Sequence, residues 1–184
     1  MNETIKSIAE RYSCRAYTGS PLSGEQVQTL AQAAIAAPSA SNRQPWQIIV
    51  ISDKGLIDEM DAEGMRIIGQ AEDKSAYERM MSRGGKLFYN APCMVMVAAS
   101  NDSAGVALDC GIVAQNVCLA AYSMGLGSVM VGMARMPLTG PKGEDFMKRM
   151  KFPEGYVFGM GILVGAPVGD GKPHEPDPTK VTYL

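Results

Sequence analysis

Between residues 106 and 124 the chain is apolar almost all the way round a helix, with only Asp109, Gln115, Asn116 and Ser123 polar. A surface helix shows one apolar stripe and one polar face, so this run predicts a central buried helix. Gly125 supplies its C-terminal stop. Such a helix must be covered by other elements. Short apolar, β-rich runs predict the strands that do so: 46–51 (WQIIVI), 93–99 (CMVMVAA), 128–133 and 157–164 (VFGMGILV).

The rest of the chain fits around this centre. Ile5, Ile8, Ala9 and Tyr12 recur at helical spacing over 3–12. Ser23 with Gln26 three residues on is a capping-box start for a helix that must stop near Pro38. Residues 38–45, PSASNRQP, form a loop bracketed by prolines. The segment 54–88 reads as at least two helices with a mobile joint, and 141–151 as a short charged helix. The tail from Gly165 is rich in Pro and Gly and ends in VTYL, a strand-like tetrapeptide. Residues 166–180 have too little apolar content to pack on their own chain, so the tail is expected to pair elsewhere. Helical stretches between the strands predict an α+β or α/β chain, and 184 residues predict a single domain, 1–184.

Composition excludes several classes. A net charge of −2 lacks the basic footprint of a nucleic-acid binder. No apolar run reaches the ~18 residues of a membrane span, and residues 1–20 are unlike a signal peptide. The four cysteines, Cys14, Cys93, Cys110 and Cys118, form no CxxC pair, and three lie in apolar stretches. Buried free thiols and a cytoplasmic setting follow. The only histidine, His174, lies in the tail, so neither a zinc site nor a Ser/His/Asp arrangement is expected.

Three constellations carry possible chemistry. Arg11, Ser13 and Arg15 place two guanidinium groups around a hydroxyl, a fork that suits a phosphate; the same residues suit a solvated helix end. Pro38 to Trp46 offers Ser39, Ser41, Asn42, Arg43 and Gln44 between prolines. Their paired donors and acceptors suit the edge of a flavin pyrimidine ring, or an ordinary helix-to-strand loop. Gly125–Gly132 (GLGSVMVG) lets backbone N–H groups approach a ligand, or simply stops a helix before a strand. It is not a dinucleotide fingerprint. Met60, Met65, Met80 and Met81, among fourteen methionines, are core filler or an adaptable lining for flat substrates.

In their order along the chain, RYSCRAY, PSASNRQPW and AQNVCLAAYSMGLGSVMVG, followed by a G-x-P turn and a basic tail, resemble the flavin-dependent nitroreductase family. The resemblance covers nearly the whole chain and is weakest over 54–90. It implies an α+β fold with a central, mainly antiparallel sheet flanked by helices. It also implies a homodimer with FMN at the subunit interface and a C-terminal extension, here 166–184, reaching the partner. By the same resemblance Arg11, Ser13 and Arg15 bind the FMN phosphate. Pro38, Ser39, Ala40, Asn42 and Gln44 contact the flavin, partly from the neighbouring subunit; Ala40 stands where the family has a second serine. The backbone of Val131 or Gly132 meets flavin N5, with Gly132–Met133 where some relatives have Glu-Gly. Lys172, or else Lys180, completes the phosphate cluster, and Arg43 is one candidate for the N1/O2 edge.

The implied reaction is hydride transfer from NAD(P)H to FMN and on to a nitroaromatic, quinone or similar small-molecule acceptor in ping-pong order. The cofactor carries the hard step, so no catalytic side chain is required. Reductive dehalogenation, flavin fragmentation and non-enzymatic flavin storage are the alternatives on the same motifs.

Overall fold

The computed structural model describes residues 2–101 and 105–184. Its elements are α1 (Glu3–Glu10), α2 (Gly24–Ile35), β1 (Trp46–Ile51), α3 (Lys54–Gln70), α4 (Ser75–Met81), β2 (Cys93–Ser100), α5 (Val106–Ser123), β3 (Gly127–Met130), α6 (Met136–Thr139), α7 (Gly143–Arg149) and β4 (Tyr156–Gly165). The four strands form one antiparallel sheet in the order β1-β2-β4-β3. This is the α+β arrangement with a central antiparallel sheet that the resemblance implies.

Alternation along β2 divides the core. Met94 and Met96 join Ile57 and Met60 of α3, Phe88 and Phe146 on one face of the sheet. Val95, Val97 and Ala99 join Leu30 and Ala34 of α2 and the inner stripe of α5 on the other. Each fully buried side chain of this size contributes about 1.5–3 kcal/mol relative to exposure. The α2 start follows its spacing: Ser23 and Gln26 exchange side-chain-to-backbone bonds at 3.1 and 2.9 Å.

The stop of α5 is also as its sequence predicts. Gly125 takes φ +72°. The N–H of Leu126 reaches the carbonyl of Ala121 at 2.9 Å, and that of Gly125 reaches Tyr122 at 3.0 Å, the paired bonds of a glycine-terminated helix. The burial of α5 differs from expectation. Cys110, Val113, Ala114, Val117, Cys118 and Ala121 are buried, but Leu108 is 75% and Ile112 39% exposed, beside exposed Gly111. The sheet and α2 cover one stripe, so the helix is not enclosed within one chain. By length and composition α5 also meets the measure of a membrane span, which the sequence reading expected of no run.

Other boundaries shift for local reasons. The first helix ends at Glu10 because Arg11 is extended (φ −59°, ψ 144°). The segment 54–88 forms two helices, α3 and α4, joined through 71–74. The third strand ends at Met130, and Gly132–Arg135 turns into a 3-10 helix that leads to Pro137 in α6. The terminal VTYL is not a strand: 181–184 are exposed, and the Val181 N–H reaches back to Pro178 O at 3.4 Å. Residues 166–168 do find a partner in their own chain, contrary to expectation. Thr18 N–H reaches Ala166 O at 3.0 Å and Val168 N–H reaches Ala16 O at 2.9 Å. The remainder, from 174 to 184, is exposed throughout.

Candidate cofactor site at the edge of β3

The segment after α1 runs beside β3 and is fixed there. The N–H of Cys14 donates to Ser128 O at 2.9 Å, with Ser13 and Ser128 in a parallel bridge. The Tyr17 hydroxyl donates to Cys14 O at 3.1 Å and to Leu163 O at 3.3 Å, tying the segment to β4. Burial and the neighbouring Cys14 thiol raise the Tyr17 pKa, so the phenol stays a neutral donor. Gly127 is required here, because a Cβ at that position would lie 2.7 Å from Cys14 Cβ.

Arg11, Ser13 and Arg15 therefore do not lie on one helix, as the i,i+4 fork assumed. They lie on extended chain, where residues i, i+2 and i+4 share a face. Cys14 between them points inward and is buried, while Ser13 and Arg15 are exposed.

A cleft of about 280 Å³ opens along this face, lined by Ser13, Arg15, Asp170, Gly171 and Lys172 among others. The turn of the tail brings Lys172 beside Arg15 across the whole length of the chain. Gly171 makes this possible, since a Cβ there would collide with the Tyr12 ring. Lys172 pairs with Glu175 at 3.0 Å, but both side chains are more than 80% exposed, so the pair holds it weakly. Lys180 pairs with Asp177 at 3.9 Å and does not line the cleft. The Asp170 carboxylate stands in the same cleft and opposes an anion; Arg15 and Lys172 outweigh it.

Arg11 precedes these residues on the same segment and does not line the cleft. Its Nε is buried and has no hydrogen-bond partner. A buried unsatisfied donor on a charged group costs about 1–3 kcal/mol or more, and is retained where something else satisfies it. The donor set of Arg11, Ser13, Arg15 and Lys172 fits a phosphate monoester of charge about −1.5 to −2. The residues present thus fit the terminal phosphate of the flavin nucleotide that the resemblance implies.

Farther along β3 the two N5 candidates separate. The Val131 N–H donates to Gly161 O at 2.8 Å and is committed to the sheet. Gly132 opens the 3-10 helix, where a first N–H has no partner within the helix. Gly132 also lines a second cleft, of about 540 Å³.

The loop 38–46 is built but stands apart. Ser39 Oγ accepts the Gln44 N–H at 2.8 Å, and Gln44 Nε2 donates to Asn42 Oδ1 at 3.2 Å. Arg43 Nε turns back onto Ala40 O at 3.3 Å. Ser41, Asn42 and Gln44 all take positive φ, of 54°, 52° and 48°. Such residues are strained, at about 1–3 kcal/mol each, and cluster where a shape is needed for function. Ser41 to Gln44 are exposed. The loop leads into β1, which is one edge of the sheet, while the Arg15–Lys172 cleft lies at β3, the other edge. Three inter-strand spacings, about 14 Å, separate the edges. One chain does not bring the two motifs together.

Sequence reasoning missed Tyr12, against which the tail closes, and Arg135 and Phe158, which line the second cleft. Arg135 and Phe158 have no spacing signal, and Tyr12 was read only as an apolar position at helical spacing; their roles come from the fold. The methionines divide. Met60 and Met80 are buried core, whereas Met65 and Met81 line a cleft of about 750 Å³ between α3 and α4. Burial pushes the Cys93 thiol up to about 12 and raises Cys110 and Cys118, so none of these is a nucleophile at neutral pH.

Comparison with known proteins agrees with this arrangement. The crystal structure of a nitroreductase with bound FMN from Desulfitobacterium hafniense superposes with a TM-score of 0.96 and 47% identity, covering 100% of this chain and 99% of that one. The FMN reductase [NAD(P)H] of Bacillus subtilis is 30% identical over 91% of this chain and 67% of its own length. The NADPH-flavin oxidoreductase of Vibrio harveyi is 35% identical over 73% of this chain and 55% of its own length. The model of the nitroreductase family matches residues 8–166, the span from the end of α1 through the sheet to the first residue of the tail. With that match added to a sheet edge carrying R-x-S-x-R, the chain belongs to the nitroreductase family.

Proposed function

We propose that the protein is an FMN-dependent NAD(P)H oxidoreductase, a single domain over 1–184 acting as a homodimer, with nitroaromatic, quinone or similar compounds as acceptors in ping-pong order. The observation that carries this reading is the cleft that brings Ser13 and Arg15 together with Lys172 of the tail. Relatives named as NAD(P)H-dependent flavin reductases, and a neighbour with bound FMN, support it.

When bound, FMN supplies hydride acceptance and donation at N5. The chain does the rest. Arg11, Arg15 and Lys172 neutralise the phosphate, and Ser13 adds a hydroxyl. Gly132 offers its free N–H at the ring, and its lack of a side chain leaves that approach open. Preorganised backbone donors of this kind cost no reorganisation at the moment of reaction.

Two features support a dimer. The loop 38–46 and the phosphate cleft lie on opposite edges of the sheet, so a second copy is needed for Pro38, Ser39, Ala40, Asn42 and Gln44 to meet a flavin bound at β3. In addition, Leu108 and Ile112 of α5 and Ile5 and Ile8 of α1 are exposed apolar residues on neighbouring helices. The exposed tail beyond 173 would then reach over the partner, with Val181, Tyr183 and Leu184 as its apolar contacts. Four free cysteines suit a reducing, cytoplasmic compartment.

The test is to reconstitute the purified protein with FMN and measure NAD(P)H oxidation with menadione. Stoichiometric FMN and parallel double-reciprocal lines are expected. FAD bound instead of FMN, or intersecting lines, would contradict the reading.

A further inference from the structure

The second cleft, of about 540 Å³, adjoins Gly132 and is lined by Gly132, Met133, Arg135, Met136, Thr139, Phe158 and Gly159. Its floor is apolar and held in place: Met133, Met136 and Phe158 are packed against the core on the α3 face of the sheet. The floor also contains a bulge. Val97 pairs with Met160 and Ala98 with Phe158, which leaves Gly159 unpaired between them. A Cβ at Gly159 would lie 2.7 Å from Cys110 Sγ and 3.0 Å from Val97 O, so bare backbone is enforced there.

Arg135 is the one charged residue in this lining. Among the described residues it makes no ion pair, unlike Arg66 with Glu63 at 2.7 Å and Arg149 with Glu59 at 2.6 Å. No carboxylate lines the cleft. An apolar slot with one free guanidinium, beside the N–H assigned to flavin N5, has a definite chemical preference. A flat ring lies on Phe158 and the methionines, and an anionic substituent meets the guanidinium.

We propose that this cleft is the acceptor subsite and that Arg135 selects planar acceptors bearing a carboxylate, sulfonate or phosphate away from the reducible group. The proposal rests on the FMN-dependent reading above. For a nitro acceptor the two-electron step is R–NO2 + NAD(P)H + H⁺ → R–NO + NAD(P)⁺ + H2O. Arg135 exchanges no proton in it and acts by charge alone.

The experiment compares FMN-loaded wild type with Arg135→Gln and Arg135→Lys. Substrates are 4-nitrobenzoate and its near-isosteric neutral partner 4-nitrobenzamide, with neutral menadione as control. Binding of benzoate and benzamide to the oxidised holoenzyme is measured in parallel by calorimetry. In Arg135→Gln, kcat/KM for nitrobenzoate and benzoate affinity should each fall roughly tenfold or more, the worth of a hydrogen bond to a charged group. The loss for the amides and menadione should be several-fold smaller than for the anions, and Arg135→Lys should recover part of the anion-specific loss. Equal response to acid and amide in all three proteins overturns the proposal while the flavin reading stands. The proposal is equally overturned if Arg135→Gln instead slows anaerobic reduction by NADH or NADPH, because the guanidinium then serves the phosphates of the donor. Failure of wild type to turn over menadione overturns the flavin reading and this inference with it.

Discussion

The carboxylate of Asp61 on α3 accepts the backbone N–H of Phe88 at 2.6 Å and that of Leu87 at 3.1 Å, joining two segments 27 residues apart. Just beyond, Tyr89 and Asn90 take positive φ of 53° and 66°. There Tyr89 O accepts the Tyr17 N–H at 3.3 Å, and Asn90 Nδ2 donates to Tyr17 O at 3.3 Å. Asp61 thereby sets the strained turn on which the R-x-S-x-R segment rests.

Removing that carboxylate leaves two buried N–H groups without partners. At about 1–3 kcal/mol per group, Asp61→Ala should destabilise the protein by about 2–6 kcal/mol, measured by urea unfolding. Burial raises the Asp61 pKa above the ordinary carboxylate value, against the pull of the two N–H groups. A raised folded pKa means a contribution that is full below the unfolded value and lost as pH rises through the folded one. Asp61→Asn should therefore show a flatter decline of stability than wild type as pH rises above the ordinary carboxylate range. An unchanged slope would mean that Asp61 is not the group responsible.

Loss of the phosphate cluster should be graded. Arg15→Ala is expected to weaken FMN binding by about 1.5–3 kcal/mol. Lys172→Ala, at an exposed side chain, should cost about 0.5–1 kcal/mol. Lys180→Ala should have no effect. Fluorescence titration of FMN distinguishes these, and an effect of Lys180 equal to that of Lys172 would reassign the tail's contact.

Placing a methyl on Gly171 should displace the tail from Tyr12. Gly171→Ala is expected to raise protease sensitivity after residue 166 and to weaken FMN binding several-fold, with the global unfolding midpoint little changed. Limited proteolysis with mass spectrometry reads the first effect.

The dimer makes a mass prediction. Light scattering on the FMN-loaded protein should give twice 19.6 kDa. The double variant Leu108→Glu, Ile112→Glu should shift it toward the monomer and lower FMN occupancy at once. A monodisperse monomer that still holds FMN would contradict the shared site.

Much of this was legible in the sequence, for physical reasons. The capping box at Ser23 and the glycine stop at Gly125 are local codes, read without tertiary knowledge. The strands Trp46–Ile51 and Cys93–Ser100 are buried or half-buried runs whose composition suffices. What was not legible depended on neighbours in space. The helix read over 3–12 stops at Glu10, and Arg11 is already extended, so the Arg11–Arg15 pair does not sit at i,i+4 on a helix. The all-round apolarity of α5 was read as a central buried helix, and one chain covers only a single stripe of it. The VTYL tetrapeptide has strand composition, yet a strand needs an adjacent edge, and none stands beside it. Arg135 and Asp61 carry no motif, and Tyr12 lies in RYSCRAY with no role read for it; only the folded chain sets them beside a cleft, a turn and the tail.

The most direct measurement is anaerobic mixing of the FMN-reconstituted protein with NADH and, separately, NADPH, followed by the visible absorption of oxidised flavin. Loss of that band with at least one donor is expected, with full recovery when menadione is added, and the bound cofactor should chromatograph as FMN. A protein that binds FMN but keeps its oxidised spectrum with both donors would contradict the oxidoreductase reading, leaving flavin storage or another reaction on this fold in its place.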